Sequence, residues 1–250
     1  MNRQTMVRRC GFASAAHLRT LCFCVALTSA LPLLAQSETH LLGHWKLDEN
    51  GQGNVIVDAS PNQRHGVLGA VASEHSVDGQ IGRAIRLSGS GSIRLDQHAP
   101  VLGKLADFTV SMWIQYDGGA SRILFSFSDG TLSHRIQVEV HQRTLSFGWQ
   151  DGGRWQSFAT KPLTWEPGRW YHVAFVNDSK LGKSILRSND LVWKTGADKL
   201  SPSGLKSPIR CIQIGSLNGE YSYNGRIDEV RLYDSALPLS ERLALFEASK

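Results

Sequence analysis

The sequence predicts an all-β fold, an antiparallel two-sheet sandwich or jelly roll with a short helix at the C-terminus. Short runs in which apolar and polar residues alternate recur along the chain, about a dozen in all, as half-buried strands require. Gly, Asn, Asp and Ser separate these runs. The six prolines that fall between them, where no sheet hydrogen bond is lost, are Pro61, Pro100, Pro162, Pro167, Pro202 and Pro208.

Residues 1–35 have the composition of a secretory signal peptide. Arg3, Arg8 and Arg9 give a basic start, and an apolar run follows from Leu21 to Ala35. Cleavage is expected after Ala35, with Ala30 as a second position. The alternative is an uncleaved anchor, for which the run is short. Residues 36–250 are therefore expected to form one exported domain, with no membrane span after cleavage.

Removal of the leader changes the charge balance. Its four basic residues leave 23 basic and 22 acidic residues in the domain. A nearly neutral domain lacks the excess positive charge that attracts nucleic acid or an anionic membrane, and we expect neither as a partner. Cys211 is the one cysteine outside the leader, so no internal disulfide is expected and stability must come from the core.

The strands follow one another at short spacing. Phe108–Tyr116 is the clearest half-buried strand, and Trp170–Val176, apolar on both faces, is predicted to be a central strand covered on both sides. Further strands are predicted at 42–47, 55–57, 84–87, 92–95, 123–127, 135–140, 144–149, 154–159, 184–187, 191–193 and around Cys211. Residues 48–54 and 58–66 read as loops.

The stretch 224–234 is predicted to be an interior strand with a buried acid. Strict alternation puts Asp228, Val230 and Leu232 on one face, and Ile227, Glu229, Arg231 and Tyr233 on the other. Val230 and Leu232 mark their face as the core side, so Asp228 is expected to share the core register. A carboxylate there must be hydrogen-bonded, paired or bound to a metal. Beyond this strand, Ser240 is predicted to cap the terminal helix.

Six segments in order along the domain resemble the laminin-G-like jelly-roll domains of the concanavalin A-like lectin/glucanase superfamily. They are 44–49, 58–66, 77–87, 108–113, 168–174 and 224–233, the last reading Asn-Gly-Arg-Ile-Asp-Glu-Val-Arg-Leu-Tyr. The resemblance implies the sandwich fold but no single function, because the superfamily holds lectins, adhesion modules and glycosidases. One departure is the hairpin around 185–190, which lacks the glycine common in that family turn.

The resemblance also implies a structural calcium ion. In this superfamily such an ion often joins an acid on the last strand to groups near the N-terminus. Asp228 matches that acid by position, and Asp48 or Asp58 could supply the N-terminal part. The alternative is that Asp228 only accepts hydrogen bonds from backbone N–H groups. An EF-hand is excluded, because Ala59 stands where that loop needs Glu.

Aromatic residues outside the matching segments suggest a binding surface. Trp149 and Trp155 stand at the ends of a predicted turn, and further aromatics occur on the loop before the last strand. Flat rings beside polar groups suit sugars, which present apolar faces next to hydroxyls. The predicted ligand-binding residues are Trp149, Asp151, Arg154, Trp155, Tyr221, Tyr223 and Asn224. The alternative is that these rings cover sheet edges or a second small core.

Catalytic motifs are not evident. Glycoside hydrolysis needs two carboxylates facing one groove, and Glu139 stands alone. Gln137 and His141 could serve a lyase, but the arginine-rich strand and the Tyr-Phe-Lys segment of lyases with this architecture are missing, as is a nucleophile elbow. We therefore expect an exported, non-catalytic glycan-binding module. The alternatives are an extracellular protein-interaction or adhesion domain and a polysaccharide-degrading enzyme.

Overall fold

The computed structural model describes residues 38–51, 53–69, 75–89, 91–119, 122–196 and 205–250. The predicted leader lies outside these ranges. The described strands are β1 Leu41–Trp45, β2 Val55–Ile56, β3 Gly66–Leu68, β4 Ser76–Asp78, β5 Arg83–Leu87, β6 Ile93–Arg94, β7 Phe108–Tyr116, β8 Ile123–Ser128, β9 His134–His141, β10 Thr144–Asp151, β11 Gln156–Ala159, β12 Trp170–Asp178, β13 Gly182–Arg187, β14 Val192–Gly196, β15 Cys211–Ile214 and β16 Gly225–Tyr233. The helices among these residues are α1 Ala99–Leu102, after a single 3₁₀ turn, and α2 Leu239–Ala248.

The strands form two sheets of eight strands each. The first sheet has the order β14-β13-β12-β7-β16-β5-β4, and β1 also pairs with β16. The second has the order β11-β10-β9-β8-β15-β6-β3-β2. All pairings between these strands are antiparallel. The predicted antiparallel two-sheet sandwich with a short C-terminal helix is thus confirmed.

The main core lies between the two sheets. Phe108 of β7 packs against Phe127 of β8 and Phe147 of β10, with ring centroids 5.4 and 5.8 Å apart. Strand β12 lies between β7 and β13 and is buried along almost all of its length, as predicted from its two apolar faces. In the described part of the chain, no helix has the length and apolar character needed to cross a bilayer.

The C-terminal helix covers the outer face of the first sheet. Phe246 packs on Trp113 of β7 with ring centroids 5.6 Å apart, and Trp113 Nε1 donates a hydrogen bond of 2.9 Å to Ser249 Oγ. The prediction that Ser240 caps this helix is wrong. The extended residue before the helix is Pro238, so Ser240 lies inside the first turn.

A β-bulge at Glu229 changes the faces of the last strand. Glu229 has a φ of 53°, and the register against β7 shifts between Asp228 and Arg231. Ile227, Val230 and Leu232 therefore all join the main core, while Asp228 lies opposite Trp113 on the outer face. The prediction that Asp228 shares the register of Val230 and Leu232 is wrong, because the extra residue breaks the alternation. Asp228 is nevertheless completely buried.

The β13–β14 hairpin turns without a glycine. Leu191 takes the left-handed conformation that a glycine would ordinarily supply, with a φ of 51°, and its side chain is 59% exposed. Its amide donates to the carbonyl of Ser188, which closes the turn. This departure from the family pattern therefore stores strain at one exposed residue.

We predict that Leu191→Gly stabilises the protein. Relief of about 1–2 kcal/mol of left-handed strain outweighs the roughly 0.5–1 kcal/mol of added chain entropy. Urea unfolding should show a net gain of roughly 0.5 kcal/mol. Leu181→Gly is the control, because Leu181 is 80% exposed with an ordinary negative φ, and it should not stabilise. If the two variants changed the free energy of unfolding equally, Leu191 would not be strained.

Candidate functional site

A groove of about 320 Å³ runs over the outer face of strands β8 to β11. Alternation along β9 produces its floor, because Ile136, Val138 and Val140 enter the core and the residues between them point outward. The lining side chains that matter below are Arg122, Arg135, Gln137, Glu139, Trp155 and Tyr221. The groove thus combines aromatic rings, cations and amide and carboxyl groups on one rigid sheet.

Trp155 lies on the sheet because residue 148 is glycine. A Cβ at Gly148 would come within 2.1 Å of Trp155 Cζ2, so no larger residue fits under the ring as it lies. Gly148 pairs across the strands with Ser157, two residues beyond Trp155, so the indole reaches diagonally back over β10. Arg135 Cζ lies 4.4 Å from the indole centroid, a cation–π contact. The ring remains partly exposed.

Tyr221 supplies a second ring to the groove. It has a φ of 51° and is 43% exposed, and its carbonyl accepts a hydrogen bond of 3.1 Å from Ile123 N at the start of β8. Arg122 Cζ lies 5.4 Å from its ring centroid. The loop before the last strand is therefore attached to the second sheet by this hydrogen bond. Both aromatic rings among the described lining residues have a guanidinium group packed against them.

The floor of the groove holds a buried carboxyl group. Glu139 is 8% exposed, and its Oε2 accepts a hydrogen bond of 3.1 Å from Gln137 Nε2. Burial raises the pKa of Glu139, an effect opposed by nearby His141, Arg122 and Arg135. Gln137 Oε1 and Arg135 Nε are buried without a protein hydrogen-bond partner. Unfilled polar atoms of this kind are available to a ligand that carries hydroxyl or carboxyl groups.

Two of the predicted ligand-binding residues, Trp155 and Tyr221, line this groove together. The expectation of a solvent-facing indole at Trp149 is wrong, because Trp149 is in phase with Leu145 and Phe147 on the core side of β10. It is 5% exposed, and Lys183 Nζ of the first sheet lies 3.6 Å from its ring centroid. The predicted pair of indoles therefore does not form one platform.

The other predicted residues also lie away from the groove lining. Tyr223 is completely buried, and its hydroxyl donates to the carbonyl of Gln115 at 3.0 Å. Asp151 Oδ1 accepts from Lys206 N at 2.9 Å, which places it in a loop contact. Arg154 and Asn224 are exposed on the surface. The groove could have been predicted from one sequence pattern. Polar residues occupy alternate positions of β9, as expected for one solvent-facing side of a strand; they are Arg135, Gln137, Glu139 and His141.

Two of the three predicted metal ligands meet at one turn. Asp228 Oδ2 accepts hydrogen bonds from Gln80 N and Ile81 N at 2.8 and 2.9 Å, and Asp48 Oδ1 accepts from Arg83 N at 2.8 Å. A Cβ at Gly79 would come within 2.7 Å of Asp228 Oδ2, and a Cβ at Gly82 would come within 2.4 Å of Asp48 Oδ1. The turn 78–83 is thus built to let both carboxylates approach its backbone.

One carboxylate oxygen of Asp228 lacks a hydrogen-bond partner. Its Oδ1 is buried without a hydrogen-bond partner. Burial raises the pKa of Asp228 to about 7, and the neighbouring carboxylate of Glu229 adds to the rise. A buried carboxylate oxygen that lacks a partner is a candidate ligand for a hard cation.

Asp58 does not fit a metal site. Its Oδ1 accepts from His44 N and Ser60 N, both at 2.8 Å, and its Oδ2 accepts from Ser60 Oγ and Arg64 N at 2.8 and 2.7 Å. Its lone pairs are therefore occupied in holding the N-terminal loop. Within the described ranges, no group of three His, Cys, Asp or Glu side chains could hold a metal ion by itself.

The architecture is that of the lectin-like jelly rolls. A laminin-G-type family model described as the concanavalin A-like lectin/glucanases superfamily matches residues 87–241, and the chain belongs to that superfamily. The resemblance read from the sequence is thereby confirmed. None of the curated proteins matches the chain.

Several solved structures share the fold. Domain 4 of AbnA, an extracellular GH43 arabinanase from Geobacillus stearothermophilus, was solved with arabinotriose. It is 21% identical with a TM-score of 0.66 over 82% of this chain and 98% of that one. The CBM40 of Ruminococcus gnavus IT-sialidase was solved with α2,3-sialyllactose. It is 15% identical with a TM-score of 0.56, and the match covers 65% of this chain and 95% of that one.

A third structure also shares the fold. The binding domain of Paraclostridial Mosquitocidal Protein 1 is 20% identical with a TM-score of 0.60, over 84% of this chain and 52% of that one. At these identities the likeness establishes the fold.

We predict that Gly148→Ala displaces the Trp155 indole, because the new methyl group occupies the position of the ring edge. In a ¹⁵N spectrum of the indole N–H groups, the Trp155 signal, assigned with Trp155→Phe, should shift markedly. Gly153→Ala is the matched control, since a Cβ there meets nothing within 4 Å. If the Trp155 signal moves no more in Gly148→Ala than in the control, the indole does not pack over Gly148.

Proposed function

We propose that this chain is a non-catalytic carbohydrate-binding module that holds a glycan in the groove over β8 to β11. The observation that carries the proposal is the Trp155 indole laid on the sheet at Gly148, beside the partly exposed ring of Tyr221. Such rings offer apolar surface to the C–H face of a sugar, and Gln137 offers an unfilled oxygen to its hydroxyls.

The fold neighbours support this assignment. Two of them are described in complex with arabinotriose and with sialyllactose. Export of the chain is part of the proposal, and it rests on the signal-like composition of residues 1–35 together with the extracellular origin of the arabinanase.

The groove favours binding over hydrolysis. Glu139 is the one carboxylate among the described lining residues, whereas glycoside hydrolysis uses two, about 5–9.5 Å apart. The hydrogen bond between Glu139 and Gln137 also holds the carboxyl group in the floor. We therefore assign the groove to recognition of an intact glycan.

Trp155→Ala is predicted to lower glycan affinity by at least about fivefold, because loss of one stacked ring costs roughly 1–3 kcal/mol. A glycan array identifies the ligand and calorimetry gives the affinities. The control is Trp170→Ala, which removes a partly exposed indole from β12 in the first sheet and should leave the affinity unchanged.

Two outcomes would contradict the proposal. One is binding that survives Trp155→Ala in a folded protein. The other is an array on which no glycan binds while an extracellular protein is captured, which would favour the adhesion alternative. Release of shortened products from a polysaccharide would instead favour the enzyme.

We also propose that calcium binds at the turn 78–83. Asp228 Oδ1 and the carboxylate of Asp48 would serve as ligands, and backbone carbonyls or water would complete the six to eight oxygens that calcium prefers. The unfilled Asp228 Oδ1 and the convergence of both acids on one turn support this proposal. The ion would fasten the N-terminal loop to the last strand. Because this site is on the first sheet, its role would be structural.

Calcium is predicted to raise the melting temperature by several degrees, since an ion at 100 times its Kd stabilises by about 2.7 kcal/mol. Calorimetry with calcium and with chelator measures the difference. Asp228→Asn should abolish the response. Asp78→Asn should keep it, because the Asp78 side chain is fully exposed beside the same turn. A wild-type melting point that ignores calcium would refute the site.

A further inference from the structure

Arg122 and Arg135 differ from the paired arginines of this protein. Ion pairs within 4.0 Å join Arg83, Arg86, Arg169, Arg187 and Arg231 to Asp78, Asp117, Glu166, Asp190 and Glu229. In the part of the chain that the structure describes, neither Arg122 nor Arg135 has a carboxylate within that distance. Each lies against an aromatic ring of the groove.

Arg135 keeps part of its hydrogen-bonding capacity unused. A guanidinium has five N–H donors. One Nη1 hydrogen of Arg135 goes to the carbonyl of Leu132, while Nε is buried without a partner. Burial lowers the pKa of Arg135, an effect that Tyr221 and the Glu139 carboxylate oppose only in part.

The groove has an excess of positive charge. Two guanidinium groups line it, and among its described lining residues Glu139 is the one acid. Glu139 accepts its hydrogen bond from Gln137 and has no arginine nitrogen of the described residues within 4.0 Å, so the carboxyl group does not neutralise either arginine by direct contact. A ligand that brings its own negative charge would supply the missing partner.

We propose that the groove selects glycans that carry a carboxylate, such as those containing uronic or sialic acids. This inference rests on the proposed function and names its ligand class. The planar fork of a guanidinium matches the two oxygens of a carboxylate, and the adjoining ring matches the apolar face of the same sugar. A neutral sugar would leave Arg122 and Arg135 without a counter-charge.

The test compares ligands that differ only in the acid. Calorimetry measures galacturonate oligomers and sialyllactose, each against its own carboxyl methyl ester. In at least one pair, the acidic member should bind at least about tenfold more tightly, as expected for a charge-assisted hydrogen bond. Arg135→Gln and Arg122→Gln should each erase most of that preference. Arg154→Gln removes an exposed arginine outside the groove lining and should preserve it.

Glu139→Gln gives a test of opposite sign. It removes the one negative charge among the described lining residues of the groove, so the preference for the acidic glycan over its neutral counterpart should increase. If Arg135→Gln fails to fold by circular dichroism, Arg122→Gln and Glu139→Gln still decide the question.

The failures of the two proposals are distinguishable. Equal affinities within every ligand pair, or an effect of the groove arginines no larger than that of Arg154→Gln, would overturn acid selection. Neutral glycans that still require Trp155 would leave the proposed function standing. Tight binding of dextran sulfate, equal to that of the best uronate, would overturn the carboxylate assignment. Glycan binding that is indifferent to Trp155 would overturn both proposals.

Discussion

The bulge at Glu229 is the constraint on which the first sheet depends. Strand β16 pairs with β5 as far as Ile227 and with β1 from Val230 onward, so the bulge is where it exchanges one neighbour for another. The carboxylate of Glu229 accepts from His44 Nε2 at 2.7 Å and from Arg231 Nη2 at 2.5 Å. Burial alone would raise its pKa, but these partners outweigh burial and lower it. The bulge therefore joins the N-terminal strand to the sheet and turns Asp228 toward the turn 78–83.

The outer faces of the two sheets have different uses. Helix α2 closes the outer face of the first sheet, where His172 is completely buried between Trp113 and Phe246. Burial lowers the pKa of His172 to about 3, so it stays neutral and behaves as part of a second packed layer. The outer face of β8 to β11 instead presents polar and charged side chains along an open groove. Function is therefore best sought on the second sheet.

Sequence periodicity predicted most of the fold and only part of the site. The apolar faces of β7 and β12 follow directly from alternation, as does the core position of Trp149 once it is counted from Leu145. The grouping of Trp149 with Trp155 failed because it followed closeness along the chain instead of strand phase. The bulge escaped prediction because Glu229 adopts a left-handed φ with no glycine to signal it. Arg122 and Arg135 line one groove because β8 pairs with β9 in a register that sets Ile123 opposite Glu139 and Ser128 opposite Arg135, and the alternation within either strand does not reveal that register.

The position of Trp155 over Gly148 has a consequence for ligand recognition. The ring edge lies over a residue that has no side chain, and the Arg135 guanidinium packs against the same ring, so the indole is already held in place when a partner arrives. The loss of rotamer freedom at this residue then occurs when the protein folds, before any sugar is present. Preorganisation of that kind reduces the entropy lost in complex formation, so that a shallow, solvent-open groove can hold its ligand with few contacts.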